Sequence, residues 1–112
     1  MAIFGFMKRN DINRGVEEYR TTAGALLLDV RTPQEYRQGH IPGSQNIPLQ
    51  QLDEIEFEVE DRNVPLFVYC RSGSRSGQAV EELRSMGYRC VTNIGGIANY
   101  SGKIAGREGG SQ

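Results

Sequence analysis

The sequence predicts an α/β domain centred on a mostly parallel sheet of short strands. Three observations carry that prediction. Two runs, Ala25-Leu26-Leu27-Leu28-Asp29-Val30 and Leu66-Phe67-Val68-Tyr69, are almost continuously apolar rather than alternating, as strands covered on both faces are. Stretches with helical spacing and stop signals lie between and after them, so strands and helices alternate along the chain. The 112 residues suit one domain with one core; a globule of this size buries roughly 60–70% of the surface its unfolded chain exposes.

The elements follow in order. At the N-terminus, Ile3, Phe4 and Phe6 are expected to supply a first short strand or dock on the core, an oligomer contact being the alternative. Their run is too short for a membrane span, and Lys8 and Arg9 follow it where a signal peptide would place its charges first. Residues 13–20 form a helix with Val16 and Tyr19 on one face, Asn13 as cap and Glu17-Glu18 towards its positive end. After the first buried run, Pro33 opens a short helix to Gln38 and Gly39 stops it. Ser44-Gln45-Asn46-Ile47, between Pro42-Gly43 and Pro48, is a weaker strand. The acidic stretch 53–61 alternates like a strand, yet Leu49, Leu52, Ile55 and Val59 share a helical face. It reads as a short helix and loop with a solvated acidic surface, a docking patch being the alternative. Residues 74–86 make the clearest helix, with Ala79, Val80, Leu83 and Met86 as its stripe and Gly87 as its stop. Cys90-Val91-Thr92-Asn93-Ile94 is a further strand before Gly95-Gly96, giving about five short strands in all. Residues 101–112 hold four glycines and little to bury, so the domain is expected over 1–100 with a flexible tail beyond.

Charge and cysteine content narrow the function classes. Thirteen basic residues against fourteen acidic ones lack the basic excess of a nucleic-acid binder. Nothing in the sequence approaches a membrane span, and a cytoplasmic location is expected. Two cysteines make no disulfide framework, and with a single histidine and no CxxC no metal site is expected.

One loop carries chemistry. In Tyr69-Cys70-Arg71-Ser72-Gly73-Ser74-Arg75-Ser76 a cysteine ends a buried strand and the chain runs straight into the best helix. Such a sulfur faces unpaired backbone N–H groups and the positive end of the helix dipole, with Arg71 and Arg75 on either side. Gly73, between small Ser72 and Ser74, lets successive N–H groups curl inward as an anion nest. Free cysteine is only ~3% thiolate at pH 7, whereas a pKa of ~6 makes it ~90% thiolate. In a parallel sheet the strand ends share one edge, so Val30-Arg31-Thr32, the Cys70 loop and Gly95-Gly96-Ile97 are expected to meet there.

These pieces, with Leu28-Asp29-Val30-Arg31-Thr32-Pro33-Gln34-Glu35-Tyr36, Gly39-His40-Ile41-Pro42-Gly43-Ser44 and Asn46-Ile47-Pro48 in that order, resemble the single-domain rhodaneses of the rhodanese-like sulfurtransferase family over about residues 12–102. The resemblance implies a central parallel sheet flanked by helices on both faces, with Cys70 accepting sulfur. Four residues separate Cys70 from Arg75. The resemblance associates this short loop with sulfane sulfur, and one residue more with the wider cradle of related phosphatases and arsenate reductases.

The expected activity is transfer of sulfane sulfur from thiosulfate, polysulfide or a persulfide to cyanide or a thiol through a Cys70 persulfide. A non-catalytic rhodanese-like binding module is the alternative, and a phosphatase is disfavoured. Arg71 orients the anionic donor, Arg75 braces the loop, and Ser72, Gly73, Ser74 and Ser76 complete the ring of donors. Asp29 and Arg31 are read as a charged pair supporting the loop, because a preformed thiolate needs no separate base. No cofactor is called for. The expected partners are small sulfur anions or low-mass thiols, with a protein persulfide as a further donor, and neither nucleic acid nor membrane. His40 belongs to a structural turn. Cys90 is read as a core residue, too far along the parallel strands to pair with Cys70. Gly95-Gly96 is read as a site of close backbone approach. Tyr100 stands where the family commonly has tryptophan, and Ser44 where alanine is frequent.

Overall fold

The computed structural model describes residues 11–106. The apolar N-terminal residues and the first strand expected of them lie outside these residues, as does the tail beyond 106. In chain order the elements are α1 (Ile12–Arg20), β1 (Leu26–Asp29), α2 (Pro33–Gln38), β2 (Ser44–Asn46), a 3-10 turn (Leu49–Glu54), α3 (Ile55–Glu58), β3 (Leu66–Cys70), α4 (Ser74–Ser85), β4 (Val91–Gly96) and a final 3-10 turn (Ile97–Asn99). The four described strands form one sheet in the order β2-β1-β3-β4, every neighbouring pair parallel. All strands therefore present their C-terminal ends at one edge.

The apolar runs become central strands because both of their faces are covered. Leu28, Leu66, Val68 and Cys70 point to one side, where they meet Ala79, Val80 and Leu83 of α4 and Leu52, Ile55 and Val59 of the segment before β3. Leu27, Phe67, Tyr69 and Ile94 point to the other side, against Ile12 and Val16 of α1 and against Ile41. Gly15 lets α1 lie close to β4, since a Cβ there would sit 2.4 Å from that of Ile94. Such burial contributes about 1.5–3 kcal/mol for each large apolar side chain, so this two-sided core holds the edge in place.

Local signals set the helix ends. Asp11, rather than Asn13, caps α1, accepting the Asn13 N–H. Pro33 and Gly39 bound α2 as read from the sequence, and Thr32 caps its N-terminus. The acidic stretch runs as a 3-10 turn and one turn of α-helix, its carboxylates exposed and Leu52, Ile55 and Val59 buried. Cys90 corrects the sequence reading: it is exposed, immediately before β4. Its carbonyl accepts the Leu66 N–H, but the buried alternation begins one residue later, at Val91. After residue 100 the chain returns to the sheet edge, where Ala105 and His40 exchange backbone hydrogen bonds of 2.8 and 2.9 Å.

Candidate active site

The three strand-end loops expected at one edge do converge there. Arg31 after β1, Arg71 after β3 and Ile97 after β4 line one pocket with Glu35, Gln38, Gly39 and Ile104, and its volume is about 230 Å³. Cys70 immediately precedes Arg71 in the chain but is not part of the pocket lining, and it is itself fully covered, at 0% exposure.

Around the sulfur the loop closes as a ring of donors. Gly73 N–H donates to Sγ at 3.0 Å, and the Ser76 hydroxyl, one turn into α4, lies 3.4 Å from it. The N–H groups of Ser76 and Ser72 also favour the charged form of the sulfur. Gly73 takes φ +104°, which L side chains rarely adopt, and this turn brings its N–H inward. Burial pushes the Cys70 thiol up; the Ser76 hydroxyl and the N–H groups of Ser76, Gly73 and Ser72 outweigh it and hold the thiol below its ordinary value. Of the residues expected to complete the ring, Ser72, Gly73 and Ser76 act on the sulfur. The hydroxyls of Ser72 and Ser74 are on exposed residues, away from the sulfur.

The two arginines of the loop have different surroundings. Arg75 forms a bidentate pair with Glu35 of α2, at 2.9 and 3.1 Å. Its charge is largely answered there, so hydrogen bonds are the larger influence favouring the sulfur anion, with a weaker attraction from the Arg75 guanidinium beside them. The Arg75 contact holds Glu35 well below the usual carboxylate range, at about 2. Glu35 also closes the capping box of α2, accepting the Thr32 N–H while its own N–H donates to Thr32 Oγ1. One carboxylate thus caps α2 and clasps α4 to it. Arg71 has no ion-pair partner among the described residues and faces the pocket.

Asp29 and Arg31 form the buried pair read from the sequence. Arg31 donates to both carboxylate oxygens, the shortest contact being 2.7 Å, and to the Gly39 carbonyl at 2.7 Å. It thereby ties β1's end to the turn after α2. His40 stacks on Tyr36 at 3.7 Å, and its Nδ1 faces the Tyr36 carbonyl at 2.9 Å; a carbonyl only accepts, so Nδ1 carries the proton. Ser44 donates to the Ile41 carbonyl and meets the buried Tyr69 hydroxyl, a role alanine could not fill. Gly96 is where the backbones approach most closely: a Cβ there would lie 2.2 Å from the Arg71 carbonyl oxygen.

Two residues of the site escaped the sequence reading in these roles. Glu35 could have been found from Thr32-Pro33-Gln34-Glu35, a capping-box pattern. Asn93 bonds Ser76, Gly73 and Gly95 together, and its one signal is a polar side chain inside a strand that leads to Gly-Gly.

A parallel sheet that ends in a donor ring around a sulfur, at a strand-to-helix junction, defines the chain as an α/β domain built around a thiolate-favouring loop. The comparisons with known proteins agree: the family description "Rhodanese-like domain" matches residues 12–103, and the chain belongs to that family. The thiosulfate sulfurtransferase PspE of Escherichia coli (strain K12) is 48% identical over 75 residues, covering 66% of this chain and 72% of that protein. The thiosulfate:glutathione sulfurtransferase of Saccharomyces cerevisiae is 40% identical over 86 residues; the match covers 66% of this chain and 62% of that protein. A solved structure described as rhodanese with anions from E. coli superposes with a TM-score of 0.68 at 40% identity, over 72% of this chain and 96% of that one. Sulfurtransferase activity is thus represented at the level of the family. Among the described residues no helix is long and apolar enough to cross a membrane, and no cluster of metal-ligating side chains is present.

Proposed function

We propose that this protein is a sulfurtransferase that carries sulfane sulfur on Cys70. The Cys70 thiolate attacks the outer sulfur of thiosulfate; the S–S bond of the donor breaks, and sulfite departs with the bonding pair. The enzyme is left with a Cys70 persulfide. An acceptor nucleophile, cyanide or a thiol, attacks the terminal sulfur and returns Cys70 to its thiolate, so the kinetics are ping-pong. The single observation that carries this reading is the donor ring, in which Gly73 N–H and Ser76 Oγ lie 3.0 and 3.4 Å from the sulfur.

The neighbouring pocket supports the choice of donor. Three guanidinium groups meet two carboxylates at this edge, Arg31 with Asp29 and Arg75 with Glu35, which leaves Arg71 to attract a small anion. At about 230 Å³ the pocket is smaller than drug-sized ligand sites of roughly 300–1,000 Å³. Cys70 is covered, so access of a donor to its sulfur requires the loop to move. The names of the two relatives, with thiosulfate in both and glutathione in one, support an inorganic donor and a thiol acceptor.

Intact mass after incubation with thiosulfate tests the reading. The expected result is a gain of one sulfur atom, lost again on addition of cyanide and absent in Cys70→Ser. A wild-type protein that gains nothing, or a Cys70→Ser protein that still turns over, overturns it, and the former result favours a non-catalytic binding module.

A further inference from the structure

Ser76 has one hydroxyl proton and two acceptors within reach. Its Oγ lies 3.4 Å from Cys70 Sγ and 2.7 Å from Asn93 Oδ1. The Asn93 amide cannot turn to relieve this competition. Its Nδ2 donates to the Gly73 carbonyl at 3.2 Å, and its Oδ1 accepts the Gly95 N–H at 3.0 Å. A flipped amide would set donor against donor and acceptor against acceptor at those contacts. The backbone prepares the arrangement as well. Asn93 pairs with Val68 and Gly95 with Tyr69, so Ile94 is an extra residue and β4 bulges beside the loop.

We propose that Asn93 is a positioning residue that competes with the Cys70 sulfur for the Ser76 proton, so that the hydroxyl turns according to the charge on sulfur. With Sγ ionised, Ser76 donates to sulfur and Asn93 Oδ1 keeps the Gly95 N–H alone. With Sγ neutral, as a thiol or after it has taken up a sulfur atom, Ser76 turns and donates to Asn93. Only the hydroxyl rotates; no bond breaks and no proton changes owner. Asn93 therefore stabilises the neutral sulfur against the thiolate and limits how far the loop can lower the thiol's pKa. The part concerning the loaded enzyme rests on the proposed sulfur transfer, while the titration behaviour stands without it.

The charged groups around the loop are Arg75 of α4, paired with Glu35 of α2, the buried Asp29–Arg31 pair at the end of β1, and Arg71 in the loop itself. None of them contacts Ser76 or Asn93 by a hydrogen bond, and all are unchanged in the variants below.

The test is the ultraviolet titration of the Cys70 thiolate in a Cys90→Ser background, where Cys70 is the sole thiol. Ser76→Ala is expected to raise the midpoint. Asn93→Val frees the Ser76 proton for sulfur and is expected to lower the midpoint by about half a unit to one unit, a roughly three- to tenfold gain in thiolate below it. In the Ser76→Ala background the same substitution should leave the midpoint within about 0.3 unit, because its effect passes through Ser76. Asn93→Ala carries the same expectation and serves if the valine variant does not fold. Equal shifts in both backgrounds, or no shift when Ser76 is present, would overturn the proposal. Thiosulfate loading of the same proteins separates the two readings: an intact titration cycle without loading removes only the sulfurtransferase, and loading with an additive cycle removes only the role of Asn93.

Discussion

Gly96 sits where two backbones leave no room for a side chain. The atoms its Cβ would meet are the Arg71 carbonyl oxygen at 2.2 Å and the Ser72 Cα at 2.6 Å, and no change of rotamer moves either. Gly96→Ala is therefore expected to cost about 1–3 kcal/mol in urea unfolding, the usual range for overpacking, and to slow persulfide formation by displacing the loop. A variant with unchanged stability and loading rate would contradict the close approach. At this scale much of the site was legible. Cys70 was marked by its place between a buried run and a helix, and Gly95-Gly96 by the absence of side chains beside it. Asn93 and Glu35 were not, because their roles lie in contacts with residues 17 and 40 positions away. Nothing near them in sequence states those contacts.

Among the elements, α2 and α4 are joined by the Glu35–Arg75 clasp, and its pH dependence has a definite sign. The folded carboxylate ionises at about 2 against 4.5 for the unperturbed group. A depressed value means that its stabilisation is complete above the unfolded value and is lost as pH falls from about 4.5 through about 2. The pair is about one-third exposed, at 35% and 27% for its side chains, so solvent screening reduces the effect to about 1 kcal/mol. Glu35→Gln should lower stability by that amount at pH 7 and converge with wild type in acid; a constant difference across pH would contradict the clasp. The ends of α2 and α4 were well signposted, since Pro33, Gly39 and Gly87 act on their immediate neighbours. Cys90 was misplaced for the converse reason. A strand's side chains alternate, so a start one residue late turns a core position out to solvent, and composition alone does not fix that register.

For the molecule as a whole, parallel topology determines where chemistry can occur. Cys70 ends β3 opposite Gly96, whereas Cys90 lies beside Leu66 at the other end of the same strand. Both cysteines are free. Cys90→Ser is expected to change stability by no more than about 0.5 kcal/mol and to leave loading intact, and oxidation of the wild-type protein should give no intramolecular disulfide by peptide mapping. A Cys70–Cys90 crosslink formed in the folded protein would contradict this arrangement. The convergence of the three loops followed from the alternation of strands and helices together with the rule that parallel strands share a functional edge. The pocket wall supplied by Ile104 did not, since a glycine-rich segment gives no signal of where it will return.

All of the proposed chemistry requires Cys70 to ionise more readily than an isolated cysteine despite its burial. The rate of Cys70 alkylation by iodoacetamide, followed against pH by peptide mass, measures this directly. The predicted profile has its midpoint below the roughly 8.5 of free cysteine and moves upward in Ser76→Ala. A midpoint at or above that of free cysteine, unmoved by loss of the Ser76 hydroxyl, would contradict the account.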